Sequence, residues 1–588
     1  MEFYTILGAG VALSILLYRL VKYVLYPQPL PGIAYDAASA KRWRGDQPAV
    51  EAVYARLHEW LSPMMARSLE LGSPVHQLFM NPFSRPLVVV DDPREVDHLL
   101  MRRGRDFDKS TTYGVWQTLI PRATLANETN AHWKSQRAAW RDTMHPKFLR
   151  RVVGPHIYEA VLNLTRLWEA RIDASGIGSE ILDEKKRFMA APALDVSKDF
   201  SLAALDAIWA AIFGERLDLV AGQTEAVRLG LPVAHSKGAM VAQTVDYVNF
   251  LWDQWSSSLW PSLSQWRIKR SRGFQDYVAL KDRETGRLLS DAGTRLQRVL
   301  ENESAAASDE DRGEQYDSCL MDLVLRRSLL AAQKAGQVLP DPATNDDLKD
   351  ELLLMIFAGH DTTSHTLQWF IKFMSNSQGA QTKLRHALQS GLGMSDDGDL
   401  PDCATILDAD VPYLNAVMEE TLRCASTASR GIRVAKVDTE ILGRPIPKGT
   451  QILLSLNVRW KPVPVPDDVR NNNTTSRSEK DDWVHHPSAQ ELDRFRPERW
   501  LKMDEHGKDV FDPDVLPRLS FSGGTRGCFG RRLAMMELRV MICIVTLKFK
   551  FLPVPDELNS PLAHERLLRA PLQCYVKLQP VASGIGRV

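Results

Sequence analysis

A cysteine set in a run of glycines is the part of this 588-residue chain best equipped for chemistry. The stretch Phe521-Ser522-Gly523-Gly524-Thr525-Arg526-Gly527-Cys528-Phe529-Gly530 leads into apolar periodicity from Arg531 to about Leu547, which predicts a helix. Glycines let backbone approach a flat ligand closely and turn several N–H groups toward the sulfur. A cysteine at a helix start has its thiolate favoured by the macrodipole and by those amides. Arg526, two residues before the sulfur, is placed to meet an anionic group. The plain alternative is an ordinary Gly-rich turn around a buried cysteine.

A second unusual stretch lies inside a predicted helix from Asn345 to about Phe373, capped by Thr344 or Asn345 and by the acidic Asp346 and Asp347. Its centre, Ala358-Gly359-His360-Asp361-Thr362-Thr363, places a glycine, an acid and two β-branched alcohols where strong helix formers are expected. Such residues predict an opened i to i−4 ladder, with room for a small ligand or water. Taken alone, Asp361 and Thr362 read equally well as tolerated helix residues.

Three further segments gain meaning only together. Glu420 and Arg423 share a face of a predicted helix from Tyr413 to Cys424, ordinarily a surface pair worth ~0.2–0.5 kcal/mol. Phe495-Arg496-Pro497-Glu498-Arg499-Trp500 lies downstream, and Trp133-Lys134-Ser135-Gln136-Arg137 upstream. The complete F-x-x-G-x-R-x-C-x-G pattern resembles the haem-binding loop of the cytochromes P-450, in which the cysteine is the axial iron ligand. The other segments resemble that family's W-x-x-x-R, A-G-x-D-T-T, E-x-x-R and P-E-R-F motifs. They occur in family order, and the resemblance runs from about Pro29 to about Leu578.

The resemblance implies a mainly α fold with small β regions, the cytochrome P-450 fold, and a haem b cofactor ligated by Cys528. Phe521, Arg526 and Gly530 would lie against that haem, and Trp133, Arg137 and Arg433 at its propionates. Thr362 would hydrogen-bond bound dioxygen and water, and Asp361 would relay protons. His360 and His365 are expected to be packing or surface residues, not iron ligands. Glu420, Arg423 and Arg499 would lock together behind the haem in a structural role. Departures are Cys424-Ala425-Ser426-Thr427, where many members have prolines, and the long insert before Phe495; both leave the local loop conformation open.

The implied activity is dioxygen-dependent hydroxylation or other oxidation of a lipophilic small molecule. No nucleotide-binding fingerprint occurs, so electrons must come from NADPH through a separate protein. The resemblance implies NADPH–cytochrome P-450 reductase as that partner, with cytochrome b5 as an optional second donor. Lys134, Arg141, Arg531, Arg532 and Arg539 are candidates for a basic docking patch, or for a plain solvated face. Two rival readings are a haem-thiolate isomerase or dehydratase acting without dioxygen, and a non-catalytic membrane haem sensor. The Asp361–Thr362 pair argues against both.

The rest of the chain must position these groups. Lys+Arg and Asp+Glu both number 73, so no basic excess points toward nucleic acid. The scattered cysteines show no zinc or dithiol spacing. From Phe3 to Tyr18 there is no charge, and Arg19, Lys22, Tyr23 and Tyr26 suit an interface, which predicts a single membrane-spanning anchor over residues 1–26. Glu2 and the lack of an A-x-A site weigh against a signal peptide. Basic residues after the span place the catalytic domain, 35–588, on the cytosolic side of the membrane, beyond a Pro-rich hinge over 27–34, and the resemblance to membrane-anchored members implies the endoplasmic reticulum. Apolar spacing from Val196 to Phe213, ending at Gly214, predicts a buried helix. Alternation around Arg433 to Leu456 predicts short strands. Residues 301–317 and 469–482 are expected to be exposed loops. Substrate choice is expected to rest on Asp106 to Leu125, the Trp-rich stretch Leu231 to Trp266, and segments near Arg433 and Ala570. The insert and the proline-rich entry resemble fungal members, which suggests a terpenoid, polyketide, alkaloid or fatty acid substrate.

Overall fold

The computed structural model describes the chain except residues 1, 81–83, 110–113, 176–191, 232–238, 259, 304–316, 395–398, 466–486 and 582–588. The expected loops over 301–317 and 469–482, and part of the substrate segments, fall mostly or wholly outside the described residues. The helices that matter for the site are α1 (Glu2–Leu25), α2 (Ala131–Trp140), α3 (Gly154–Ala174), α4 (Ser197–Phe213), α5 (Ala239–Ser257), α6 (Arg272–Glu303), α7 (Asp346–Asn376), α8 (Pro412–Ala425) and α9 (Arg531–Lys548). The fold is mainly helical with small β regions, as the motif set implies.

The main sheet combines β1 (Val75–Leu78), β2 (Leu87–Val90), β3 (Phe107–Lys109), β4 (Arg430–Ala435) and β5 (Gln451–Ser455) in the order β1-β2-β5-β4-β3. Only the β2–β5 pair is parallel. A separate hairpin pairs β6 (Ala563–Glu565) with β7 (Arg569–Pro571). The strands expected near Arg433 are therefore present, and β4 draws in a distant partner, β3, that sets Lys109 opposite Arg433.

The core follows from apolar faces meeting. Helix α4 is buried from Ala203 to Phe213 and stops at Gly214, whose φ of 69° is the left-handed C-cap that the sequence predicts. It packs on α7 so tightly that a Cβ on Gly359 would lie 2.8 Å from Ile208 Cγ1. Gly359 is thus required for helix–helix contact rather than for opening the helix. Helix α7 begins where expected: Asn345 Oδ1 accepts from the Leu348 N–H at 3.0 Å. Buried Lys281 of α6 donates to Asp350 of α7 at 2.7 Å, fixing the two helices' relative position.

The expected opening of the α7 ladder is not observed; the helix runs unbroken through Ala358 to Thr363. The alcohols are accommodated by bonding back into the helix. Thr362 Oγ1 donates to Ala358 O at 2.7 Å and Thr366 Oγ1 to Thr362 O at 2.8 Å.

Helix α1 covers the segment expected to be an anchor. Side chains of residues 2–12 lie outside the described set, and among the described residues no helix is long and apolar enough to cross a membrane. Its described part holds Leu13, Leu16, Leu17 and Leu20 outward, all more than half exposed.

Candidate active site

The cysteine loop is built from a short 3₁₀ turn, Gly524–Arg526, ahead of α9. Gly524 sits at φ +65°, and a Cβ there would lie 1.9 Å from Leu100 O, so glycine is obligatory. Its N–H points to Met101 Sδ at 3.0 Å. The Cys528 N–H bonds Phe521 O at 2.9 Å, closing the loop at its base. Cys528 is closely surrounded by protein and yet solvent-accessible, which is the combination expected of a side chain on the wall of an interior gap. Burial pushes its thiol up, while the Gly530 N–H and the Arg137 and Arg531 charges pull it down. A Cβ on Gly530 would meet nothing within 4 Å, so there is open space two residues beyond the cysteine.

Beside this space, cations gather without enough anions. Arg137 Nη2 donates to Gly527 O at 2.9 Å, and its guanidinium lies over Phe529. Arg526 lies over the Trp133 ring at 4.5 Å and donates to Thr124 O and Asn127 O through Nη2. Its Nη1 is buried with no partner. Lys109 faces Arg433 across the β3–β4 pair, where like charges destabilise unless an anion lies between them. Burial lowers Arg433, brings Arg526 to about 10 and holds Lys109 well below its ordinary value; mutual repulsion among these groups adds to the last two. Asp108 and Glu351 are the acids in range. An unpaired buried guanidinium nitrogen, facing cations and open space beside a thiol fit a flat, dianionic group such as haem. Cys528 would hold its iron, and Arg137, Arg433, Arg526, Trp133 and Lys109 its carboxylates.

Lys109 escaped sequence reasoning because its place depends on β3 pairing with a strand over three hundred residues away. Trp133 is 4 % exposed, and the Arg137 guanidinium lies 5.6 Å from the centre of its ring. Phe521 receives the Arg531 guanidinium over its ring at 5.6 Å.

Helix α7 reaches the cysteine helix through Thr363, whose hydroxyl donates to Glu537 Oε2 of α9 at 3.2 Å. Burial pushes the Glu537 carboxyl up to about 8, so it is protonated at neutral pH. Asp361 and Thr362, the adjacent positions, are partly exposed. The expectation that His360 packs is met: it is buried, with Nε2 2.9 Å from Ser201 Oγ.

Behind the loop, Glu420 is fully buried. Its oxygens accept from Arg423 Nε and Nη2 at 2.8 Å, Arg499 Nε at 3.0 Å, the Arg496 N–H at 2.8 Å and Trp500 Nε1 at 2.9 Å. Both arginines also hold backbone carbonyls: Arg423 those of Val458, Leu492 and Arg494, Arg499 those of Gln490 and Glu491. The pair that ordinarily sits on a surface is here the knot that ties Val458 and residues 490–500 to α8. The Trp500 bond was not foreseen; a tryptophan where the motif has phenylalanine adds a donor to Glu420.

One member of the expected basic patch is not available. Arg539 is committed to Ile406 O, Asn415 Oδ1 and Ala409 O, because it faces the gap between α9 and the chain entering α8. Lys134, Arg141, Arg531 and Arg532 remain exposed.

The Cytochrome P-450 family model matches residues 70–458 and 490–578. The chain is 29% identical over 97% of its length to the cytochrome P-450 monooxygenase TRI13 of Fusarium sporotrichioides, covering 99% of that protein. It is 31% identical over 92% of its length to the cytochrome P-450 monooxygenase xilC of Penicillium crustosum, covering 91% of that protein. It is 27% identical over 97% of its length to the cytochrome P-450 monooxygenase GME11363 of Pestalotiopsis microspora, covering 98% of that protein. With that match spanning most of the chain and the cysteine loop, cation cluster and Glu420 knot all in place, the chain belongs to the cytochrome P-450 family and is an oxidoreductase of its monooxygenase class.

Proposed function

We propose that the protein oxidises a lipophilic small molecule, a secondary metabolite such as a terpenoid, polyketide or alkaloid, with dioxygen and with electrons passed from NADPH by a separate reductase. The observation that carries this reading is the accessible Cys528 in range of Arg137, at the start of a helix whose Glu537 is bonded by Thr363, the neighbour of Asp361 and Thr362. Near full-length similarity to fungal monooxygenases supports it. Haem held by Cys528 would supply the redox chemistry, its thiolate favouring cleavage of the O–O bond.

The chain's own residues bind, orient and move protons. Thr362 Oγ1, while it donates to Ala358 O, has only acceptor capacity left, so it holds a water by that water's hydrogen. Asp361 is the acid beside it and returns the protons consumed. Gly114, Val115 and Thr118 meet Leu251, Gln254, Ser264, Gln265 and Ile268 around a hollow with room for about one water. Trp260 and Trp266 are more than half exposed nearby, and the side chains of Trp252 and Trp255 lie outside the described residues.

Helix α1 serves as a membrane anchor, with the catalytic domain on the cytosolic face of the endoplasmic reticulum. In support, its 24 residues span about 36 Å, and its outward leucines are costly in water. The reductase, with cytochrome b5 as a second donor, docks on the side of Lys134, Arg141, Arg531 and Arg532.

The test is mass spectrometry of a lipophilic host extract incubated with protein, reductase and NADPH under labelled dioxygen. The expected result is a labelled product that disappears with Cys528→Ala. An unlabelled, Cys528-dependent product that persists without NADPH would overturn the reading in favour of isomerisation or dehydration.

A further inference from the structure

Asp361 needs a source of protons, and the residue one turn further along α7 is a histidine. His365 Nε2 lies 4.0 Å from Asp361 Oδ1, and both side chains are partly accessible, at 21 % and 17 %. The other ring nitrogen, Nδ1, is buried and makes no hydrogen bond. An orphaned ring nitrogen beside a partly wet carboxylate is costly as pure packing. His360 Nδ1 also approaches Asp361, at 3.8 Å, and is likewise unpartnered, but the other nitrogen of that ring is held by Ser201 at 2.9 Å.

Beyond His365 the titratable groups continue outward. His564 of the β6–β7 hairpin lies within electrostatic range of His365. Its ring is 6.5 Å from that of His58. The hairpin is flanked by the half-exposed ion pair of Arg566 with Asp253 of α5, 3.5 Å apart. The charged and titratable groups facing His365 are therefore Asp361 and His360 on its own helix and His564 on the hairpin, with His58, Arg566 and Asp253 behind His564.

We propose that His365 is a positioning residue for the oxygenase reaction, passing protons from the His58–His564 side of the hairpin to the Asp361 carboxylate. The inference rests on the functional reading given above. A proton arrives at the free Nδ1, and the Nε2 proton moves to Asp361 Oδ1 through one bridging water, since the 4.0 Å separation is beyond direct hydrogen-bond reach. Asp361 passes its proton to the water held at Thr362, and the ring turns to restore its first tautomer. No electrons move in these steps. Burial lowers the His365 pKa while Asp361 raises it, so the ring is mostly neutral at rest and carries each proton in passing.

Two readouts test this without knowledge of the substrate. In holoprotein carrying isotope-labelled histidine, reduced and bound to carbon monoxide, the His365 ring is followed by NMR across pH. Its midpoint is expected to fall in Asp361→Asn, which removes the anion that favours the charged ring; an unmoved midpoint overturns the coupling. With reductase and NADPH but no substrate, His365→Phe is expected to raise hydrogen peroxide formed per NADPH, to slow water formation by about tenfold, less than the roughly 100-fold of losing an acid outright, and to flatten its pH profile. Unchanged peroxide yield and pH profile in His365→Phe overturn the relay. His365→Gln guards against a folding defect: it keeps a polar side chain and cannot relay, so it should match His365→Phe. Wild-type-like behaviour of His365→Gln, or loss of the carbon monoxide spectrum in both variants, assigns His365 to packing. A wild-type protein that yields no labelled product but shows the Asp361-dependent midpoint shift would refute the function while leaving the pair intact.

Discussion

Replacing Glu420 by alanine should unseat the haem without touching it. Glu420 is fully buried and accepts from two guanidinium groups, a backbone N–H and an indole N–H. Removing one partner of a buried ion pair costs about 3–5 kcal/mol, because the remaining charge is left uncompensated. The orphaned Arg496 N–H and Trp500 Nε1 each add roughly 1–3 kcal/mol. Carbonyl acceptors from Val458, Leu492, Gln490 and Glu491 still solvate the arginines, so the lower part of the range applies. About 5–8 kcal/mol is comparable with the whole stability of an ordinary domain. The loss falls on α8 and on residues 490–500, which the network ties together. The assay is haem content by absorbance of the reduced carbon monoxide complex, with urea unfolding alongside. Glu420→Ala should lack the complex, and Trp500→Phe, which deletes one donor, should keep it with a loss of about 1–2 kcal/mol. A Glu420→Ala protein with full haem and under about 1 kcal/mol of destabilisation would mean that the network behaves like a surface pair, and would refute the argument. The pH sign agrees: partners hold the Glu420 carboxyl below its ordinary value, so its contribution is complete above the unfolded pKa and is lost as pH falls through the folded one.

Gly524→Ala should fail to assemble the cysteine loop, since its Cβ would overlap Leu100 O in a left-handed conformation; haem retention on gel filtration checks this. Glu537→Gln should raise stability at neutral pH by up to ~3 kcal/mol, seen in urea unfolding. The reason is that the buried carboxyl, pushed up to about 8, must be kept neutral while the unfolded state ionises freely, so the penalty grows with pH from the ordinary glutamate value to about 8. Thr362→Ala should fold and bind haem normally, since it loses only a bond back into its own helix, yet release more peroxide per NADPH. Arg526→Gln should weaken haem retention in apo-acceptor exchange by about 1.5–3 kcal/mol, the worth of one charge-assisted hydrogen bond.

The sequence alone determined what is local and chemically distinctive. The Asn345 cap and the Gly214 stop rest on residue types whose roles depend on their immediate neighbours, so spacing was enough to read them, whereas the roles of Cys528 and the Asp361–Thr362 pair came from the family resemblance. Even there the reading overshot: Gly359 looked like a helix opener, and only Ile208 of α4 packing against it shows that the missing Cβ is needed for close approach. Tertiary structure decided everything that depends on which distant segments meet. Lys109 joins the cation cluster because β3 pairs with β4, Trp500 reaches Glu420 across eighty residues of chain, and Arg539 is withdrawn from the surface by carbonyls before α8. Buried charge is the physical reason. A guanidinium or carboxylate in the core must find its partners wherever the chain brings them, and that geometry has no period for a sequence to display.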